Sequence, residues 1–183
     1  MKVLEPVLAA WCVAALVSCD GSSARDRSPA GQTLARSQQE WRIDFQSVGP
    51  VHINVSISQA ASVLGQRLEV PAPDECGSSD VRLTGAPAGI VAIVYRDTIM
   101  AIEVDSSRSA TIDGLQVGST LESIRARYDT LIDEDRSLDG DPKFTLASTD
   151  PERRFLIVFR TDGERVTSIT AGRRSAAQVG ECA

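Results

Sequence analysis

The chain has 183 residues, 42% hydrophobic and 24% charged, with a formal net charge of −6. That balance fits one folded domain with short extras and excludes global disorder. Aromatic residues at 4% and the acidic balance exclude a nucleic-acid surface of stacked rings and clustered cations. The single histidine removes most His-based metal and triad chemistry.

Residues 1–18 read as an export signal. Met1-Lys2 gives a minimal basic start, and Val7 to Val17 is an apolar run of 11 residues. A spanning helix needs about 20 apolar residues, so the run is too short to anchor the chain by itself. It ends in Leu16-Val17-Ser18-Cys19, which resembles the bacterial lipobox. The resemblance implies that Cys19 is lipidated and becomes the first residue of the mature protein. Glu5, Pro6 and the single Lys2 depart from the usual pattern. The alternative is an ordinary cleaved secretory signal with an incidental cysteine.

Residues 19–40 follow as a polar linker rich in Gly, Ser and Pro, with little to bury, and are expected to be a flexible leash. Charges balance up to residue 40, so the −6 belongs to residues 41–183, which hold 15 basic and 21 acidic residues. Arginine outnumbers lysine 17 to 2, which reads as the imprint of a GC-rich genome.

Within 41–183 the predicted elements come in two similar series. Trp41 begins the domain, and His52 lies in an apparent strand, Val51-His-Ile-Asn-Val55. Ser56 and Gln59 have capping-box spacing. Ile57, Ala60, Ala61, Leu64 and Leu68 form a helical stripe, and Gly65 suits the helix end. Val81–Leu83 is a candidate strand. Ile90–Tyr95 and Thr98–Val104 predict a hairpin around Arg96-Asp97.

The second series starts with Ser119 to Glu122 as another capping box, followed by Leu121, Ile124 and Tyr128 as the stripe. Phe144–Leu146 is a candidate strand. Phe155–Arg160 and Val166–Ala171 predict a hairpin, with Asp162-Gly163 signalling a two-residue turn. The offset is 64 by the stripes and 63 by the caps. The expected fold is α+β: one domain of two degenerate repeats, about 50–110 and 113–173, each a short capped helix followed by antiparallel strands.

The segments Gln116–Tyr128 and Asp162–Ile169 carry a likeness to two kinds of envelope protein. They resemble the tandem-repeat fold of the β-lactamase inhibitor protein and the small lipoproteins that support outer-membrane protein assembly. The resemblance implies action by binding other proteins. Shared fold does not transfer a site, and no residue-level motif carries one over.

Four cysteines bound the covalent chemistry. Cys12 lies in the signal and Cys19 takes the lipid, leaving Cys76 and Cys182 as an expected disulfide closing about 107 residues. A cross-link of that loop size is worth up to about 4.7 kcal/mol by chain entropy. Two free thiols or a zinc pair are the alternatives, and the absence of Cys-x-x-Cys spacing counts against zinc.

Residues 129–141 concentrate Asp129, Asp133, Glu134, Asp135, Asp139 and Asp141. Asp135, Ser137, Asp139 and Gly140 follow the first half of an EF-hand loop, and Asp141 adds a further oxygen. Pro142 and Leu146 break the second half, so calcium is a weak expectation against a plain solvated acidic loop. His52 has no local nucleophile or orienting partner and reads as structural or exposed. Asn54-Val-Ser56 matches a glycosylation acceptor, but Ser56 already has a capping role.

The functional expectation is a lipid-anchored, non-enzymatic binding or adaptor module of the bacterial envelope, facing the periplasm or the cell exterior. Its expected partners are the membrane, through the lipid, and an envelope protein, not nucleic acid; no cofactor is expected beyond weak calcium. An envelope hydrolase with spatially assembled carboxylates, or a small-ligand lipoprotein, is the alternative.

Overall fold

Residues 41–128, 132–135 and 144–177 are described by the computed structural model, and they fall within the unit Ser37–Ala183. In β5 (Ile90–Tyr95), Ile90, Ala92 and Val94 are buried, while Val91 and Ile93 are half-buried on the other face. β6 (Thr98–Val104) returns through a two-residue turn in which Arg96 and Asp97 have φ of 48° and 64°. Two left-handed residues give that turn the twist of the strands it joins. β4 (Ser78–Arg82) pairs on the outer side of β5.

β7 (Ile132–Asp135), β8 (Phe144–Thr149), β9 (Phe155–Thr161) and β10 (Val166–Arg173) form the other part of one antiparallel sheet. Its order is β4-β5-β6-β10-β9-β8-β7. The seam between β6 and β10 is close. A Cβ on Gly172 would come to 2.8 Å from Cα of Ala101, so glycine is required there. Three two-residue strands, β1 (Ile43–Asp44), β2 (Ser47–Val48) and β3 (Val51–His52), make a second small antiparallel sheet. Trp41 lies against Gly49 in its last turn, where a Cβ would meet the indole at 2.7 Å.

Two short helices add to the core. In α1 (Ile57–Leu64) the Ser56 hydroxyl accepts the Gln59 N–H at 3.2 Å, and Gln59 Oε1 accepts the Ser56 N–H at 2.9 Å. Gly65 ends this helix at φ 65°, and Leu68 is buried beyond it. In α2 (Leu121–Arg127) Ile124 is fully buried and Tyr128 tilts against Phe159 with ring centroids 5.7 Å apart. α3 (Arg174–Ala177) follows β10 directly and packs on β10, β9 and β6. Ile43, Val48, Ile57, Ile102, Ile124, Ile157, Phe159 and Ile169 share one core. The fold is α+β with two antiparallel sheets.

Three expectations are corrected. The second N-cap falls one residue later than expected, and Glu122 is not its partner: Thr120 is the N-cap and accepts the Ser123 N–H at 3.2 Å. Ser119 is committed elsewhere, its carbonyl to the Val166 N–H and its hydroxyl to the Gln116 N–H. The β9–β10 turn is a four-residue loop, Asp162 to Arg165, not a two-residue one. Asp162 spans it, its N–H donating to the Arg165 carbonyl at 3.1 Å and its Oδ1 accepting the N–H groups of Glu164 and Arg165. The acidic stretch is not all loop, since Ile132–Asp135 pairs with β8 as a strand.

Candidate functional site

The last pair in the β9–β10 ladder is Phe155 with Arg173. One rung further out, the Arg174 N–H donates to the Arg154 carbonyl at 3.1 Å. Two arginine pairs, Arg153-Arg154 and Arg173-Arg174, are thereby brought together at the open end of one hairpin. Like charges directly opposite one another disfavour the pairing. All four arginines are exposed and line an open cleft of about 540 Å³ with Asn54, Phe155 and Ser175. None of these lining residues is acidic.

The turn that presents Arg153 and Arg154 is tightly specified. Asp150, only 5% exposed, accepts the N–H groups of Arg154 and Phe155 on Oδ1 at 2.7 and 2.8 Å. Its carbonyl accepts the Arg153 N–H at 2.9 Å. Arg153 is held at φ 55°, a left-handed conformation that costs a non-glycine residue about 1 kcal/mol. Across the cleft Asn54 is also left-handed, at φ 69°, with its N–H on the Ile99 carbonyl.

The charges are unevenly answered. Arg154 pairs with Glu152 and lies over the Phe155 ring at 5.8 Å. Among the described residues no carboxylate is ion-paired with Arg153, Arg173 or Arg174. Guanidinium groups stay protonated in water and only donate hydrogen bonds, in a planar fork suited to carboxylate and phosphate. Three of them without a carboxylate partner among the described residues, beside an amide and a hydroxyl, offer donors of the kind an anion accepts from.

At the opposite end of the sheet Asp162 and Glu164 share the β9–β10 loop with Arg165. The Asp162 carboxyl is held below the ordinary carboxylate range, mainly by the Arg165 N–H and next by the Glu164 N–H.

The residues singled out by sequence fall as follows. Cys76 is disulfide-bonded, and its partner lies outside the described residues, as do Cys182 and Cys19. Asp135 ends β7, while Ser137, Asp139 and Asp141 lie outside the described residues. No group of three or more metal-ligating side chains occurs among the described residues. His52 is exposed on β3. Sequence reasoning missed the arginine cleft, taking arginine as a compositional habit. The available signal was that two arginine doublets, Arg153-Arg154 and Arg173-Arg174, flank the predicted hairpin.

No protein-family model matches the chain, and no curated protein matches it. Among solved structures, the fold is similar to that of an uncharacterized protein, YfeY from Escherichia coli. The match has a TM-score of 0.50 at 16% identity and covers 72% of this chain and 99% of that one. At that identity the likeness is one of fold alone.

Proposed function

We propose that this chain is a lipid-anchored binding module of the bacterial cell envelope, acting by holding a ligand or partner and not by catalysis. In this reading residues 1–18 direct export, Cys19 carries the lipid, and residues 20–40 let the domain reach away from the membrane. The arginine cleft is the observation that carries the binding role. Its cations keep their charge across the physiological range, so they hold an anion and do not cycle protons as a general base must.

The test is metabolic palmitate labelling and membrane fractionation of the full chain beside Cys19→Ala, with cross-linking in the native membrane. Label on the wild type, its loss in the variant, and a stoichiometric cross-linked envelope component support the reading. An unlabelled wild type in the soluble fraction overturns the anchor. A bare cross-linking profile across several linker chemistries overturns the adaptor role.

We also infer that the domain arose by internal duplication, with units at about 50–110 and 113–173. Matching local bonds support this. The N-caps Ser56 and Thr120 are 64 residues apart, and each is preceded by two positions by a left-handed residue, Asn54 or Gly118. The Asn54 N–H bonds to Ile99 of β6, and the Gly118 N–H bonds to Val166 of β10. In return, Ile99 donates to Val55 and Val166 to Ser119. With the corrected cap, stripes and caps share one offset.

We assign Cys182 as the partner of Cys76. Ser78 pairs with Tyr95, Tyr95 with Thr98, and Ala101 with Gly172, so Cys76 lies at the end of the sheet where β10 finishes. The five residues from Ala177 to Cys182 can extend roughly 17 Å, against roughly 14 Å for the three strand spacings from β10 to β4. Non-reducing peptide mapping is expected to yield the Cys76–Cys182 peptide. Recovery of Cys182 as a free thiol refutes the assignment.

A further inference from the structure

We propose that the arginine cleft recognises a phosphate-bearing organic ligand, binding its phosphate through Arg153, Arg173 and Arg174. The proposal rests on reading the domain as a binding module and names the chemistry it binds. Three features point to it.

Charge comes first. Three arginines without a carboxylate partner among the described residues, plus Arg154 shared with Glu152, stand in a chain whose net charge is −6. A carboxylate brings one negative charge and about four acceptor sites. A phosphomonoester brings close to two charges and three terminal oxygens, which several guanidinium forks can engage together.

The second feature is backbone cost in one place. The register sets Arg154 against Arg174, and the left-handed Arg153 lies at the cleft. Such conformations gather where surrounding structure enforces a geometry, and here the buried Asp150 enforces it.

Size is the third. The cleft is open to solvent and, at about 540 Å³, has room for more than a bare phosphate ion. Asn54 and Ser175 offer polar groups for a headgroup or sugar. The phosphate can come from a lipid headgroup or from a soluble phosphorylated molecule.

The experiment uses the full chain purified from membranes in non-ionic detergent. Inorganic phosphate, glycerol 3-phosphate and a short-chain, detergent-soluble phosphatidic acid are titrated by calorimetry, with short-chain phosphatidylcholine as the control. The triple variant Arg153→Gln, Arg173→Gln, Arg174→Gln is run in parallel, with circular dichroism to confirm its fold. Wild-type binding is expected to weaken roughly tenfold or more for each arginine removed, and to weaken with salt. Saturable binding of the soluble phosphates assigns a soluble source. Binding of the short-chain phosphatidic acid alone, lost in the variant, assigns a lipid headgroup. Equal response of wild type and variant, or no response to any probe, overturns the proposal. A photoreactive residue at position 175 separates the two levels. An envelope component captured there while every phosphate probe fails leaves the binding module standing and removes phosphate as its ligand. No capture and no phosphate binding removes both.

Discussion

The open ends of the hairpins β5–β6 and β9–β10 share a backbone and differ in side chains. In each, the residue after the second strand donates its N–H to the residue before the first: Asp105 to Gly89 at 2.9 Å, and Arg174 to Arg154 at 3.1 Å. At the first end, Gly89 has φ 86°, and a Cβ there would overlap the carboxylate of Asp105. A small residue accommodates a single charge. At the second end, two cations face each other and a third arginine is held left-handed beside them. The first arrangement follows from local packing. The second opposes local stability, and that is the mark of a site.

The contrast can be broken first at Asp150. Asp150→Ala leaves the N–H groups of Arg154 and Phe155 without their acceptor in a buried turn. It is expected to cost about 2–3 kcal/mol in urea denaturation and to weaken anion binding as well. A cost under about 0.5 kcal/mol would show that the turn is held by its flanking strands alone.

At the other hairpin, Gly89→Ala is expected to cost about 1–2 kcal/mol, because alanine is strained at that φ and must displace Asp105. Anion binding should stay at the wild-type level. A loss of binding would mean that the two ends are coupled through the sheet.

Removing cation–cation opposition sharpens the comparison. Arg174→Gln is expected to leave stability unchanged or raise it by up to about 0.5 kcal/mol at low ionic strength. The gain should vanish in high salt while ligand affinity stays reduced. A clear destabilisation would make Arg174 a structural residue.

The smallest effect belongs to the opposite end of the sheet. The Asp162 carboxyl titrates below its unfolded value, so its contribution is present above about pH 4 and is lost as pH falls through the folded pKa. Asp162→Asn is expected to lower stability slightly at neutral pH and to flatten the acid limb of the pH–stability curve. An unchanged limb would assign the acid sensitivity to other carboxyls, such as Asp74, which Ser78 holds low in the same way.

Much of the sheet was legible because its strands are short apolar runs bounded by turn residues; burial alternates in β5, while β9 and the middle of β10 are buried on both faces. The predicted spans Ile90–Tyr95 and Thr98–Val104 coincide with β5 and β6. The first helix was legible because its cap, stripe and terminal glycine agree. The second cap was misplaced because Ser119 and Thr120 both suit the role, and only the pairing of Ser119 with Val166 decides between them. β1 to β3 are too short to carry a period, and the acidic run in β7 hides a strand behind residues depleted in strands. The cleft was the least legible part. Arg154 and Arg174 are 20 residues apart and become neighbours only through the register of β9 and β10.

The close seam at Gly172 bears on the order in which the chain folds. β5–β6 closes over two residues and β9–β10 over four, whereas the seam joins Ile169 to Val104 and Gly172 to Ala101, partners 65 and 71 residues apart. Long-range pairing of this kind requires chain entropy to be lost before contacts reward it. The two hairpins should therefore form early and dock late. Gly172→Ala should then accelerate unfolding and leave the refolding rate nearly unchanged. A matching drop in the refolding rate would place the seam inside the nucleus.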